Sequence, residues 1–116
     1  MLQLNIIKAA RVKVRVDGLV TDEHDAELPC SFSVDCRRLD MDGLMELVQA
    51  SRSYPASDAI VQKLMAVIEG WQGVADEDGK PLAYTPENVA ELLRVPGMAA
   101  QVMLAYFDQV QAKAKN

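Results

Sequence analysis

Between residues 10 and 16 apolar and basic side chains alternate without a break, Val12, Val14 and Val16 against Arg11, Lys13 and Arg15. A period of two belongs to a strand with one face buried and the other in water. Cys30, Phe32 and Val34 against Ser31, Ser33 and Asp35 repeat it, and polar-faced runs this short pair antiparallel rather than lie inside a parallel sheet. The acid-rich segment between them, 17–27, is too long for a two-residue turn and predicts an extended hairpin tip or a mobile loop. After Arg38 the period becomes helical. Leu44, Leu47 and Val48 recur at helix spacing behind Asp40 or Asp42, either of which can cap, with Gly43 weakening the first turn. Tyr54-Pro55 stops that helix, because the residue before a proline is pushed out of the helical region.

Ser57 or Asp58 then opens the strongest amphipathic stripe of the chain, Ile60, Val61, Leu64, Met65, Val67, Ile68 and Trp71, which predicts a helix running to the tryptophan. Thr85 as N-cap and Pro86 at the first helical position begin the next helix, with Val89, Leu92 and Leu93 on one face. Pro96-Gly97 breaks it. A last helix carries Met98, Val102, Met103, Tyr106, Phe107 and Val110, and the polar residues after it should fray. The expected fold is α+β, mainly helical: an antiparallel two-stranded element with strands near 10–17 and 28–36, then about four helices near 41–52, 57–71, 86–94 and 97–112. All of it belongs to one domain, 1–116. Residues 1–38 hold the strand pair and acidic loop, 39–112 the helical part, and 113–116 the tail.

Half of the 116 residues are hydrophobic, enough for a chain of this length to bury roughly two-thirds of its unfolded surface without disulfides or metal. The net charge of −5 is unevenly spread: residues 1–38 hold six basic and six acidic side chains, residues 39–116 six and eleven. An acidic balance of this kind argues against nucleic acid as a partner, since phosphate binding needs clustered Lys and Arg. No apolar run approaches the length of a membrane span, and residues 1–10 lack the apolar core and cleavage site of a signal peptide. A cytoplasmic setting without membrane contact is expected. Cys30 and Cys36, six residues apart on an extended segment, would stand about 20 Å from one another, beyond disulfide reach. They are expected as free, packed thiols.

Candidate chemistry is sparse. Asp76, Asp78 and Gly79 suggest a calcium loop, but with Gly79 at position six the first and twelfth positions fall on Val74 and Thr85, which cannot supply the key ligands. An Asp-Gly turn is the better reading. His24, the sole histidine, has no Cys or Ser at motif spacing for nucleophilic catalysis, and two cysteines with one histidine do not make a zinc site. No cofactor is expected. The stripes bearing Met65, Met98 and Met103 fit a core, although methionine also suits adaptable partner-binding faces. Trp71 either plugs the core beneath the corner formed by residues 70–84, where one helical pattern ends and the next begins, or stands as an aromatic anchor at an interface.

Around that corner the ordered features resemble the tail assembly chaperones of long-tailed bacteriophages and prophages. Gly70-Trp71-Gln72-Gly73-Val74 leads into the acidic turn Asp76-Glu77-Asp78-Gly79, then Lys80-Pro81-Leu82-Ala83-Tyr84-Thr85-Pro86-Glu87-Asn88. Leu92-Leu93 before Pro96 and Ala105-Tyr106-Phe107 close the series, so the resemblance spans about 70–107 and is weaker over 1–40. It implies a non-enzymatic protein of the host cytoplasm, not retained in the finished virion. Several copies would coat the tape measure protein, keep it soluble and help deliver major tail tube subunits. It also implies that a chain ending at Asn116 is the short form of a pair whose longer form arises by frameshifting. Self-association into a ring or open spiral would multiply weak contacts along a linear client. The residues expected to meet partners are Trp71, Tyr84, Met98, Met103, Tyr106 and Phe107, with Arg11, Lys13 and Arg15 as a basic face for the acidic part of a neighbouring copy. The rival readings are a minor structural tail component or general interaction module and, from a different class, a small enzyme built on scattered carboxylates.

Overall fold

The computed structural model describes residues 1–52 and 56–115. Its elements run α1 (Leu4–Ala9), β1 (Val12–Thr21), β2 (Glu27–Cys36), α2 (Met41–Arg52), α3 (Ala56–Val67), β3 (Ile68–Gln72), α4 (Pro86–Leu93) and α5 (Met98–Val110). This is the expected α+β class, but with a third strand and, among the described residues, a fifth helix. The break expected at Tyr54-Pro55 lies outside the described residues.

The alternation read from the sequence builds β1 and β2 as an antiparallel pair, in register from Val12 opposite Cys36 to Thr21 opposite Glu27. Val12, Val14, Val16, Phe32, Val34 and Cys36 are buried on the inner face. The pair is longer than its periodicity suggested. β1 runs on past Asp17 to Thr21, β2 begins at Glu27, one residue before the expected 28, and only 22–26 remain as a turn. There the Asp22 carboxylate accepts hydrogen bonds from the backbone N–H groups of His24 (2.8 Å) and Ala26 (2.9 Å), while Asp25 takes a left-handed φ of 62°. Leu19, Val20 and Leu28 on the extended part stay exposed, so no buried face marked it in the sequence.

The stripe read as a helix to Trp71 is cut at Val67. Beyond it β3 pairs antiparallel with β2, Gln72 opposite Ser33, Trp71 opposite Val34 and Gly70 opposite Asp35, then Ile68 opposite Cys36 with the register shifted. Glu69 is the extra residue of that bulge. A bulge resets the alternation, so Ile68 and Trp71, three apart, both align with inward residues of β2. In sequence the same spacing reads as one helix face.

The core lies between the inner face of the sheet and the helices. α5 packs on β1, α3 lies against α5 and α4, and α2 packs on α3. Tyr106, Val102, Val34 and Val14 are fully enclosed. Two arginines after β2 tie the layers together. Arg37 donates to the Ala66 carbonyl at the end of α3 (3.1 Å), and Arg38 donates to Ala10 (3.2 Å) ahead of β1 and to Val110 (2.7 Å) at the end of α5.

Candidate interaction surface

The corner after β3 is assembled from the residues that define its sequence pattern. Gly73 sits at φ 86°, where its missing Cβ would meet the Phe32 backbone at 3.4 Å. Val74 accepts a hydrogen bond from the Leu82 N–H (2.8 Å), and Ala75 bridges Pro81, closing a small hairpin around the acidic turn. The Asp76 carboxylate accepts from the N–H groups of Asp78 (2.9 Å) and Lys80 (3.0 Å), with Gly79 left-handed at φ 78°. That oxygen is engaged by backbone, as the turn reading requires. The Trp71 indole donates to the Leu82 carbonyl (2.9 Å), and the Tyr84 ring meets Trp71 edge to face with centroids 5.3 Å apart. The Tyr84 hydroxyl donates to the Ile68 carbonyl (2.8 Å). Thr85 caps α4 by accepting from the Asn88 N–H (3.1 Å), while the Asn88 amide returns to the Ala83 carbonyl (2.8 Å).

Trp71 is therefore half-buried, one edge in the core and one at the surface beside an exposed Tyr84. Burial raises the Tyr84 pKa, with the nearby Cys36 and Glu69 adding to the shift. Cys36 is buried at the back of the same sheet, and desolvation, reinforced by Asp35 and Glu69, pushes its thiol up to about 12. A thiol so held is protonated and a poor nucleophile. Cys30 is half-buried and also free.

The outer face of the sheet carries Arg11, Lys13 and Arg15 as expected, all exposed, but the fold sets carboxylates among them. Arg11 pairs with Glu69 at 3.5 Å, Arg15 with Asp17 at 3.3 Å, and Lys13 lies opposite Asp35 across the ladder. Hydrogen bonds from Ser31 and Arg15 hold the Asp17 carboxyl below its ordinary range. The face is mixed in charge rather than uniformly basic.

The last helix divides its expected binding residues in two. Tyr106 is fully enclosed; its hydroxyl donates to the Arg37 carbonyl (2.7 Å) and accepts from the Leu39 N–H (2.9 Å), and burial raises its pKa. Met98 is buried as well. These two are core residues, unavailable to a partner in this conformation. Met103 and Phe107 are half-buried, and Leu104, which the stripe did not include, is 61% exposed. At the other end of α5 a groove of about 490 Å³ opens between α3, the α4–α5 turn and α5, walled by Ile60, Leu93, Val95, Pro96, Ala100 and Met103, with Asp58 and Arg94 on its rim. Asp58 and Arg94 pair at 3.6 Å.

Among the described residues no cluster of His, Cys, Asp and Glu is arranged to hold a metal ion, and no helix is long and apolar enough to cross a membrane. A family model described as YdaY prophage protein matches residues 47–116. The chain belongs to that family. The YdaY match takes in part of α2, all of α3, β3, the corner, the groove and α5, and leaves the β1–β2 hairpin and α1 outside it. No curated protein and no solved structure matches the chain.

Within the YdaY region, the sequence pattern includes Leu82 and Asn88 without assigning either a contact, and it passes over Leu104. Leu82 acts through its backbone carbonyl, and Asn88 through its backbone N–H and a side-chain amide that donates to the Ala83 carbonyl, contacts that leave no periodic trace. Leu104 falls on the polar side of the stripe, where an isolated leucine has no special reading.

Proposed function

We propose that this YdaY-family chain is a phage tail assembly chaperone, a non-enzymatic protein that binds the tape measure protein in the host cytoplasm, keeps it soluble and helps recruit tail tube subunits. The observation that carries the proposal is the ordered corner from Gly70 to Asn88, whose resemblance to those chaperones lies inside the region matched by the prophage family. Supporting it is the strip Met103, Leu104 and Phe107, which offers apolar area along one side of α5. An amphipathic client helix would lay its apolar face on such a strip. A binding role rather than a catalytic one also fits the polar groups that could have carried chemistry. The Asp76 carboxylate, Tyr106 hydroxyl and Cys36 thiol are each engaged by backbone or buried.

The test is co-expression with the tape measure protein of the same prophage, followed by affinity capture and by analysis of purified particles. The chaperone reading expects capture of the tape measure protein, its loss on Leu104→Asp, and no copy of this chain in finished tails. Capture together with retention in the particle makes the chain a minor structural component. No capture in any form removes the reading.

A further inference from the structure

Residues 1–9 are an arm without a place in their own fold. None of the residues of α1 is buried, and Leu4, Ile6 and Ile7 are 60%, 63% and 43% exposed. A single exposed leucine needs no explanation, whereas several on one short segment form a patch that a solution monomer rarely leaves uncovered. The radius of gyration is 15.4 Å, against about 13 Å for a compact domain of this length. The root of the arm is nonetheless fixed, because Arg38 holds the Ala10 carbonyl and the Val110 carbonyl together.

The groove between α3 and α5 is the complementary feature, with aliphatic walls and a volume in the range of sites that receive a few side chains. No residue of the chain's own arm lines it. The arm starts at the C-terminal end of α5, the groove lies at the N-terminal end around Ala100, and ten residues of helix put roughly 15 Å between them. An arm leaving one end and a groove at the other are two different patches, the arrangement that joins copies heterologously. Asp58 and Arg94 balance on the rim itself, and the charge that favours the same pairing acts at longer range. Residues 1–16 carry Lys8, Arg11, Lys13 and Arg15 with no carboxylate, whereas residues 39–116 carry the whole net charge of −5, and opposed signs of this kind steer and orient association.

We propose that the arm of one copy docks in the α3–α5 groove of a second copy, Leu4, Ile6 and Ile7 entering between Ile60 and Ala100 while Lys8 approaches Asp58 on the rim. The inference deepens the self-association in the chaperone reading and rests on that reading for its purpose. A nine-residue arm covers less than the roughly 800 Å² per partner of a stable pair. Each contact is therefore weak alone and gains from repetition along a client. Met103 of the strip is shared with the groove, whereas Leu104 and Phe107 do not line it and stay open to the client.

Sedimentation of the chain by itself over a wide concentration range, with no client present, tests the contact. Leu4→Ser with Ile6→Ser disables the arm and Ala100→Trp fills the groove, all at exposed positions where folding does not depend on the side chain. Wild type should pass from monomer to larger species, and either variant should raise the midpoint concentration about tenfold or more. Mixed one to one, the arm variant still offers a groove and the groove variant still offers an arm, so the mixture should form dimers and nothing larger. A wild type monomeric throughout, variants that assemble like wild type, or a mixture that stays monomeric would each overturn the proposal. Its failure is separable from that of the chaperone reading. A monomer that captures the tape measure protein defeats only the docking, and an arm-dependent assembly that captures nothing defeats only the chaperone.

Discussion

Trp71 shows how one side chain can serve a corner twice. Its ring gives Tyr84 an edge-to-face partner and its N–H satisfies the Leu82 carbonyl, so two chain segments eleven residues apart are held by one indole. Because the ring is only half-buried, Trp71→Ala should cost about 2–3 kcal/mol, below the 3–5 kcal/mol of a fully enclosed aromatic. Trp71→Phe keeps an aromatic ring for Tyr84 but loses the indole N–H and leaves the Leu82 carbonyl unpaired, at about 1 kcal/mol for that hydrogen bond. Thermal melts of the two variants check this. A melting temperature untouched by Trp71→Ala, with client capture weakened, would instead make Trp71 an interface residue. Tyr106 had looked equally suited to a partner in the sequence. Its position at helix spacing was correct, but burial of a hydroxyl depends on whether acceptors and donors wait for it, and Arg37 and Leu39 reach it from 69 and 67 residues away.

At the scale of elements, the sequence revealed what depended on unbroken period. β1, β2, the Thr85-Pro86 start of α4 and the glycine break before α5 were legible because each is a local rule obeyed locally. β3 was hidden by its bulge, and α1 because Leu4, Ile6 and Ile7 pack on nothing that would impose a face. Gly73 is where the β3 turn is most exposed to a test. A side chain there would have to take a left-handed φ and sit against Phe32 at 3.4 Å, so Gly73→Ala should cost about 1–2 kcal/mol, mainly through the backbone. Denaturant midpoints for Gly73→Ala and for Gly79→Ala separate the two causes, since Gly79 shares the positive φ but has open space around it. Equal losses at both positions would show that the close approach to Phe32 contributes nothing.

At the scale of the whole molecule, desolvation raises the pKa of one thiol and two phenols. The Cys36 thiol moves from an ordinary 9.0 up to about 12, and Tyr106 and Tyr84 are raised by burial as well. A raised acid keeps its proton in the folded chain while the unfolded chain releases it, so stability is full below about pH 9 and falls as pH climbs towards 12. Urea unfolding at about pH 8 and about pH 10.5 should show this loss, and Cys36→Ala should make the dependence shallower even if it lowers stability at both. A dependence as steep as wild type would clear Cys36 of the effect. The packing of α5 against β1 also sets an order of events during synthesis. The hairpin is complete once residue 36 has emerged, yet the helix that covers Val14 and Val16 is finished only at residue 110, about 4–15 s later at ordinary elongation rates. Through that interval the inner face of the hairpin is open to water and to any chain translated beside it, and α5 is the helix that shuts it.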